Sequence, residues 1–232
     1  TANVAGVTAI AATTAAAYDV SLFSGLSDIN VSAAGAINVK GATTAAITAA
    51  TTSGKVTVVG GSSQTATAKG GFDLSGSTGA ISVTDSAQGA VASSVLGGST
   101  VSITSTSKAA GATTGTITVG SSTKAPTGDV TITSSIVEAK GTTNTAGGAI
   151  AVTGGEDVVI TQSASKAVQS TALANGTITN AAVTVTGKAT TKSVTVDSSA
   201  AVAAVTTVLA VAAEAETTTA AFGALTAGET II

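Results

Sequence analysis

Short apolar-x-apolar triplets recur through most of this chain, and they come in two alternating forms. Triplets of the first form begin at Ile81, Ile117, Ile150 and Val183. Triplets of the second form fall between them and begin at Val101, Val130, Val158 and Val194. Successive starts are about 33–36 residues apart in the first form and about 28–36 residues apart in the second, and such steps are typical of solenoids and other stacked arrays. The spacing therefore predicts a repeat protein and no enzyme.

Alternation within each triplet indicates short β-strands with one buried face. Side chains two residues apart point to the same side of a strand, so the two aliphatic residues face the core and the middle residue faces outward. Strands of about three to five residues are too short to be stable alone and must pair with the next coil, at about 4.8 Å. We expect an all-β fold, a parallel β-solenoid with variable turns rich in Gly, Ser and Thr, of either handedness.

The composition agrees with a thin, layered core. Hydrophobic residues make up 44% of the 232-residue chain, yet there are only three Phe and one Tyr, and no Trp, Met or Cys. Most of the apolar residues are Ala and Val. Branched and small side chains suit closely stacked strands, because they pack well on a pleated surface and allow tight turns.

Charge and missing residue types exclude several functions. The nine basic residues are all Lys, the acids number twelve, and the net charge is −3, so no basic face is expected and nucleic acid is not a predicted partner. Without His or Cys, neither a Ser-His-Asp nor a Cys-His mechanism can be built. No run of about 18 apolar residues is present, so we expect no transmembrane segment.

Three regions are predicted along the chain. Residues 1–28 lack the triplet pattern and are expected to form an opening or capping coil, and residues 29–198 carry the solenoid repeats. Residues 199–232 are an Ala/Val-rich terminal segment, and one expectation is that it leads into a further module of a longer chain. Within it, residues 199–216 fit either an Ala-rich helix or further coil edges.

Four acids are candidate calcium ligands, because they lie in or beside predicted turns: Asp73, Asp129, Glu156 and Asp157. Backbone carbonyls of the same turns could complete the six to eight oxygen ligands that calcium takes. Asp85 lies in a comparable position. The alternative is that these acids are solvated or contact a neighbouring subunit.

Two stretches of the chain carry recognisable phrases. The first combines Gly-Ala-Ile-Ala-Val-Thr-Gly-Gly at 148–155, Val-Val-Ile-Thr-Gln at 158–162 and Ala-Val-Thr-Val-Thr-Gly at 182–187. The second is Phe-Ser-Gly-Leu-Ser-Asp-Ile-Asn-Val at 23–31. Both resemble the β-solenoid region of bacterial surface-layer proteins, of the Caulobacter type exported by type I secretion, and the related RTX-secreted class. The resemblance implies a parallel β-solenoid, self-assembly into a two-dimensional coat and dependence on calcium. The family's calcium motif Gly-Gly-x-Gly-x-Asp is absent from this sequence.

The expected function is that of a structural subunit of a self-assembling surface layer, outside the cell at the bacterial surface. Its partners would be further copies of the chain, with cell-surface polysaccharide as another candidate. One alternative is the stalk or passenger region of a secreted adhesin or surface filament. A minor alternative is an ice-binding solenoid, suggested by Thr-x-Thr pairs that begin at Thr116, Thr131, Thr177 and Thr184. Because those pairs alternate between the two triplet forms, we expect that they do not align in one plane.

Overall fold

The computed structural model describes residues 8–107, 114–138, 143–166 and 176–200, together with strands at 208–213, 216–221 and 230–231. These residues contain β-strands and no helix, so none of the described elements is a helix able to cross a bilayer. The first eleven strands are β1 (Ala9–Ala12), β2 (Ala17–Asp19), β3 (Asp28–Ala33), β4 (Ile37–Lys40), β5 (Ala46–Thr51), β6 (Val56–Val59), β7 (Ser63–Ala68), β8 (Phe72–Ser75), β9 (Ile81–Gln88), β10 (Ser93–Leu96) and β11 (Val101–Ser107). The others are β12 (Ile117–Val119), β13 (Val130–Glu138), β14 (Thr145–Ala146), β15 (Ile150–Thr153), β16 (Asp157–Lys166), β17 (Ile178–Thr179), β18 (Val183–Thr186), β19 (Ser193–Ala200), β20 (Val208–Ala213), β21 (Glu216–Ala221) and β22 (Thr230–Ile231).

The strands stack into a parallel β-solenoid, as the sequence predicts. The chain alternates between two ten-stranded sheets. In the first sheet the order is β1-β3-β5-β7-β9-β11-β13-β16-β19-β22, and in the second it is β2-β4-β6-β8-β10-β12-β15-β18-β20-β21. Every pairing from β1 to β19 is parallel, and one turn of the solenoid contributes one strand to each sheet.

Alternation of buried and exposed residues places the apolar core between the two sheets. In β11, for example, Val101 and Ile103 are buried whereas Ser102 and Thr104 are exposed. The same pattern stacks Ile and Val over their equivalents in successive coils, and Phe72 of β8 is the largest side chain that is fully buried. Since each short strand contacts only its neighbouring coils, stability depends on the stack as a whole.

The structure corrects the repeat step over the first part of the chain. Ile29 pairs with Ile47, Ile47 with Gln64 and Gln64 with Ile81, so each of these coils is only about half as long as the predicted repeat. Ile81 pairs with Val101 in the first sheet and not with Ile117, although the two triplets read alike. Both sheets bury the same apolar-x-apolar pattern, and the triplet by itself therefore does not tell which sheet a strand joins.

From Val101 onward the predicted steps of the second triplet form are confirmed. Val101 pairs with Val130, Val130 with Val158 and Val158 with Val194, all in the first sheet. These residues are the starts of four successive triplets of that form. In this part of the chain, the distance between triplets in the sequence therefore equals one turn of the solenoid.

The longer coils hold a second, smaller core. There β13 and β16 extend to nine and ten residues, beyond the predicted three to five. A third sheet, β14 paired with β17, lies in these coils. Ile136, Ala164 and Ile178 form a buried cluster separate from the main core. The extra residues of each long coil therefore build additional buried structure.

The two ends of the stack differ. Residues 8–28, expected to form an opening or capping coil, hold β1 and β2, which pair in parallel with β3 and β4. At the other end β21 and β22 run antiparallel to β20 and β19. Residues 199–216 were expected to form either an Ala-rich helix or further coil edges. Residues 208–213 form a strand, β20, as the second alternative requires. Residues 201–207 and 214–215 lie outside the described residues.

Turn glycines allow the coils to stack closely, and Gly60 gives a clear test. It has a φ of +88°, and a Cβ built on it would collide with the carbonyl oxygen of Gly41 in the preceding coil. We expect Gly60→Ala to lower the free energy of unfolding by more than about 1 kcal/mol, because alanine is both strained and obstructed there. Urea denaturation followed by circular dichroism measures the change. At Gly89 an added Cβ meets nothing within 4 Å, so a comparable loss in Gly89→Ala would contradict this explanation.

Candidate functional site

Three of the four candidate calcium ligands lie together at one edge of the first sheet. Asp129 precedes β13, and Glu156 and Asp157 lie at the start of β16 in the next coil. The backbone N–H of Asp157 donates to Oδ1 of Asp129 at 3.3 Å. In the following coil the Ser193 hydroxyl donates to Oδ1 of Asp157 at 2.6 Å. Parallel register thus brings together two aspartates that are distant in the sequence.

A lysine lies among these acids. Lys192 directly precedes β19 and forms an ion pair with Glu156. The hydrogen bond and charge of Glu156, with smaller contributions from the charges of Asp157 and Asp129, raise the pKa of Lys192 above its usual value. The four side chains therefore form a mixed, exposed charge cluster in which an ammonium group already offsets part of the negative charge.

Asp73 and Asp85 are separate from this cluster. Asp73 faces outward in β8 of the second sheet, where Lys55 Nζ lies 2.5 Å from Oδ2 and the Ser94 hydroxyl donates to Oδ1 at 2.9 Å. Asp85 points into the solenoid and is fully buried. Across the described ranges, no three acid side chains are placed so that they could hold a metal ion. Calcium binding by Asp73, Asp129, Glu156 and Asp157 remains a prediction.

Asp85 organises a turn between two coils. Its carboxylate accepts hydrogen bonds from the backbone N–H groups of Gly70, Gly71 and Ala87, at 3.2, 2.8 and 3.2 Å. Gly70 and Gly71 have φ values of +145° and +102°, and the carboxylate bonds directly to both of these turn amides. Bonds to a charged acceptor are stronger than those between neutral groups, so Asp85 has a structural role.

Asp85 begins a row of buried polar residues that sequence analysis missed. Inward positions of the first sheet in successive coils are occupied by Asp85, Ser105, Ser134, Gln162 and Ser198. Ser105 donates to Oε1 of Gln88 at 2.6 Å, and Ser198 donates to Oε1 of Gln162 at 3.2 Å. The row lies between the main core and the small one. Its signal in the sequence is a polar residue two positions after each first-sheet triplet from Ile81 onward.

The outward face of the first sheet carries an array of hydroxyl groups. In β7, β9, β11 and β13 the first two exposed positions of each strand are Thr or Ser: Thr65, Thr67, Ser82, Thr84, Ser102, Thr104, Thr131 and Thr133. Parallel register aligns them in two rows, one containing Thr65 and Thr131 and the other containing Thr67 and Thr133. We call these eight residues the threonine face.

The structure confirms that the four Thr-x-Thr pairs noted in the sequence do not align in one plane. The pairs at Thr116, Thr177 and Thr184 belong to the second or third sheet and do not share a plane with Thr131 and Thr133. The threonine face instead joins Thr131 and Thr133 to pairs that were not recognised, since two of those pairs include Ser. The sequence does carry a signal for this face. Triplets such as Val101-Ser102-Ile103 have Ser or Thr at the middle position, and a Thr directly follows the triplet.

An exposed aspartate on the second sheet offers a titration test. The Ser21 hydroxyl donates to Oδ1 of Asp19 at 2.6 Å, and with the Ser21 N–H and Lys40 it lowers the pKa of Asp19 from 3.8 to about 2. We expect Ser21→Ala to raise the pKa of Asp19 toward 3.8, as measured by NMR titration of the carboxyl carbon. Because the folded pKa is the lower one, the stabilisation is present above pH 3.8 and is lost as the pH falls toward 2. An equal pKa change in Ser24→Ala, whose side chain is exposed in another turn, would contradict the assignment.

The fold defines a class of proteins built from repeats, the parallel β-solenoids. No family model, curated protein or solved structure matches the chain.

Proposed function

We propose that the chain is a structural subunit of an extracellular surface layer, which assembles from copies of itself at the bacterial cell surface. The observation that supports this most is the low charge of the broad outward faces. At the described outward strand positions of the first sheet, the charged residues are Asp28, Asp157 and Asp197. On the second sheet they are Asp19, Lys40 and Asp73. Weak net repulsion lets like surfaces approach, and the mechanism is association without catalysis.

Calcium enters the proposal through the resemblance to surface-layer proteins and through the acids at the edge of the first sheet. An ion could join Asp129 and Asp157 of one copy to oxygen ligands of another, because calcium takes six to eight oxygens and one exposed edge supplies only some of them. Cell-surface polysaccharide is the proposed anchoring partner, and co-sedimentation of the protein with isolated cell envelopes tests that part separately.

Electron microscopy of negatively stained protein, with and without a calcium chelator, tests the assembly. We expect a periodic sheet that dissolves when calcium is removed and forms again when it is restored. Protein that stays monomeric at high concentration with calcium present would overturn the proposal. Filaments that are indifferent to chelation would favour the adhesin stalk or surface filament instead, and would remove calcium from the mechanism.

A paired variant locates the ions. If the edge acids bind calcium, the double variant Asp129→Asn, Asp157→Asn will need a higher calcium concentration than the wild type to assemble into two-dimensional sheets. The matched control is Asp197→Asn, an exposed aspartate in the middle of β19 of the same sheet and away from this edge. If the two proteins require the same calcium concentration, the calcium ligands are not at this edge.

A further inference from the structure

The threonine face is the most regular surface in the described part of the chain. Its rows follow from the strand pairings: Thr67, Thr84, Thr104 and Thr133 are direct partners in four successive strands. Thr161 of β16 continues that row. The second row, Thr65 to Thr131, is ended by Val159 of β16. The only register shift between β9 and β11 falls after Ser105, beyond the face, so the array is unbroken.

Strand geometry sets the two repeats of this array. Neighbouring rungs are separated by the strand spacing of about 4.8 Å, and the two residues of each rung by a two-residue step of about 6.6 Å. Threonine side chains are stiff at χ1 because they are β-branched. Each rung therefore presents at least one threonine, whose hydroxyl and methyl groups have little conformational freedom to lose on binding, and Ser82 and Ser102 add hydroxyl groups alone.

The chemistry of the face excludes several kinds of ligand. It has no charged side chain, so it lacks the cations that bind phosphate or nucleic acid. Its residues are exposed on the outer surface of a sheet, whereas small molecules bind mostly in concave pockets. A ligand that matches this surface must be uncharged, extended and periodic in two perpendicular directions, and it must accept and donate hydrogen bonds at every repeat.

We propose that the threonine face binds ice. Oxygen atoms on a prism face of hexagonal ice repeat in two perpendicular directions at distances close to those of the array, so that hydroxyl groups can occupy positions of the lattice. The methyl groups restrict the water between them, and ordered water bridges surfaces nearly as well as direct hydrogen bonds do. This binding uses a face of the solenoid and does not depend on whether the chain forms a surface layer.

Ice growth in the presence of the purified chain tests the proposal. We expect the freezing point to fall below the melting point, with faceted crystals, as measured by nanolitre osmometry. Thr104→Tyr, in the middle of the array, is expected to abolish the effect because the ring holds ice away from the neighbouring rungs. Thr184→Tyr, on the outward face of β18 in the second sheet, is the matched control and should retain it. Circular dichroism confirms that both variants are folded.

Two results would overturn the proposal. The first is wild-type protein that leaves a single freezing and melting temperature. The second is an equal effect of both tyrosine variants, which would show that any activity does not come from the threonine face. If the first result is obtained and Thr104→Tyr also abolishes periodic sheets, the face is a contact between subunits and not an ice-binding surface.

Discussion

Asp85→Ala is expected to destabilise the protein by roughly 3–5 kcal/mol, since three backbone N–H groups lose a charged acceptor inside the solenoid. These N–H groups belong to Gly70, Gly71 and Ala87. Alanine offers no oxygen in its place, and water has little access because Asp85 is fully buried. Urea denaturation measures the loss, and amide hydrogen exchange should show reduced protection at Gly71 in particular.

Two comparisons make the Asp85 prediction specific. Asp85→Asn keeps one carbonyl oxygen and should lose less stability than Asp85→Ala. Asp73→Ala removes an aspartate of the neighbouring coil whose side chain is 42% exposed and paired with Lys55, and it should cost no more than about 1 kcal/mol. If Asp73→Ala and Asp85→Ala lose equal stability, the buried hydrogen bonds are not the cause.

Lys166→Met is expected to lower the free energy of unfolding by about 3–5 kcal/mol, because it removes one member of a buried ion pair. Lys166 Nζ lies 3.4 Å from Oε2 of Glu138, and the two side chains are only 2% and 1% exposed. Lys166 Nζ also donates to the carbonyl of Thr143. The pair therefore connects the ends of β13 and β16 to the loop before β14.

Replacing both members of this pair separates charge from packing. The double variant Glu138→Leu with Lys166→Met removes both charges and should recover most of the stability lost in Lys166→Met, since an apolar pair of similar volume often replaces a buried ion pair. Lys192→Met breaks the exposed pair with Glu156 and should change stability far less than Lys166→Met does, because exposed ion pairs contribute little. A double variant less stable than Lys166→Met would contradict this view.

The core was predictable because its signal is local. Triplets such as Val130-Thr131-Ile132 put two branched aliphatic side chains on one side of a strand, and that pattern is sufficient to predict a strand and its buried face. Both residues are fully buried. The assignment of triplets to sheets was less successful, since Ile81 joined the first sheet and not the second. A triplet carries no information about which of two similar sheets it enters.

The candidate site was predictable only in part, because it depends on register. Asp129 and Asp157 come together since each directly precedes a triplet, and Val130 and Val158 at the starts of those triplets are paired. The step between these two triplets was already visible in the sequence. Asp73 was grouped with them only because it too lies near a turn, and the structure places it on the other sheet. The threonine face was missed because its rows form across coils and not along the chain.

By itself, the sequence determined that the protein is a β-solenoid with an aliphatic core, since the two-residue period and the repeat steps are properties of the chain. The tertiary structure decided the length of the coils before Val101, the alignment of Thr67, Thr84 and Thr104, and the burial of Asp85. The residues that follow a triplet can all be polar, as Thr84, Asp85 and Ser86 are, and such a polar stretch predicts a turn. Their fate depends on the coils above and below, because a polar side chain can remain inside only where neighbouring backbone or side chains satisfy its hydrogen bonds.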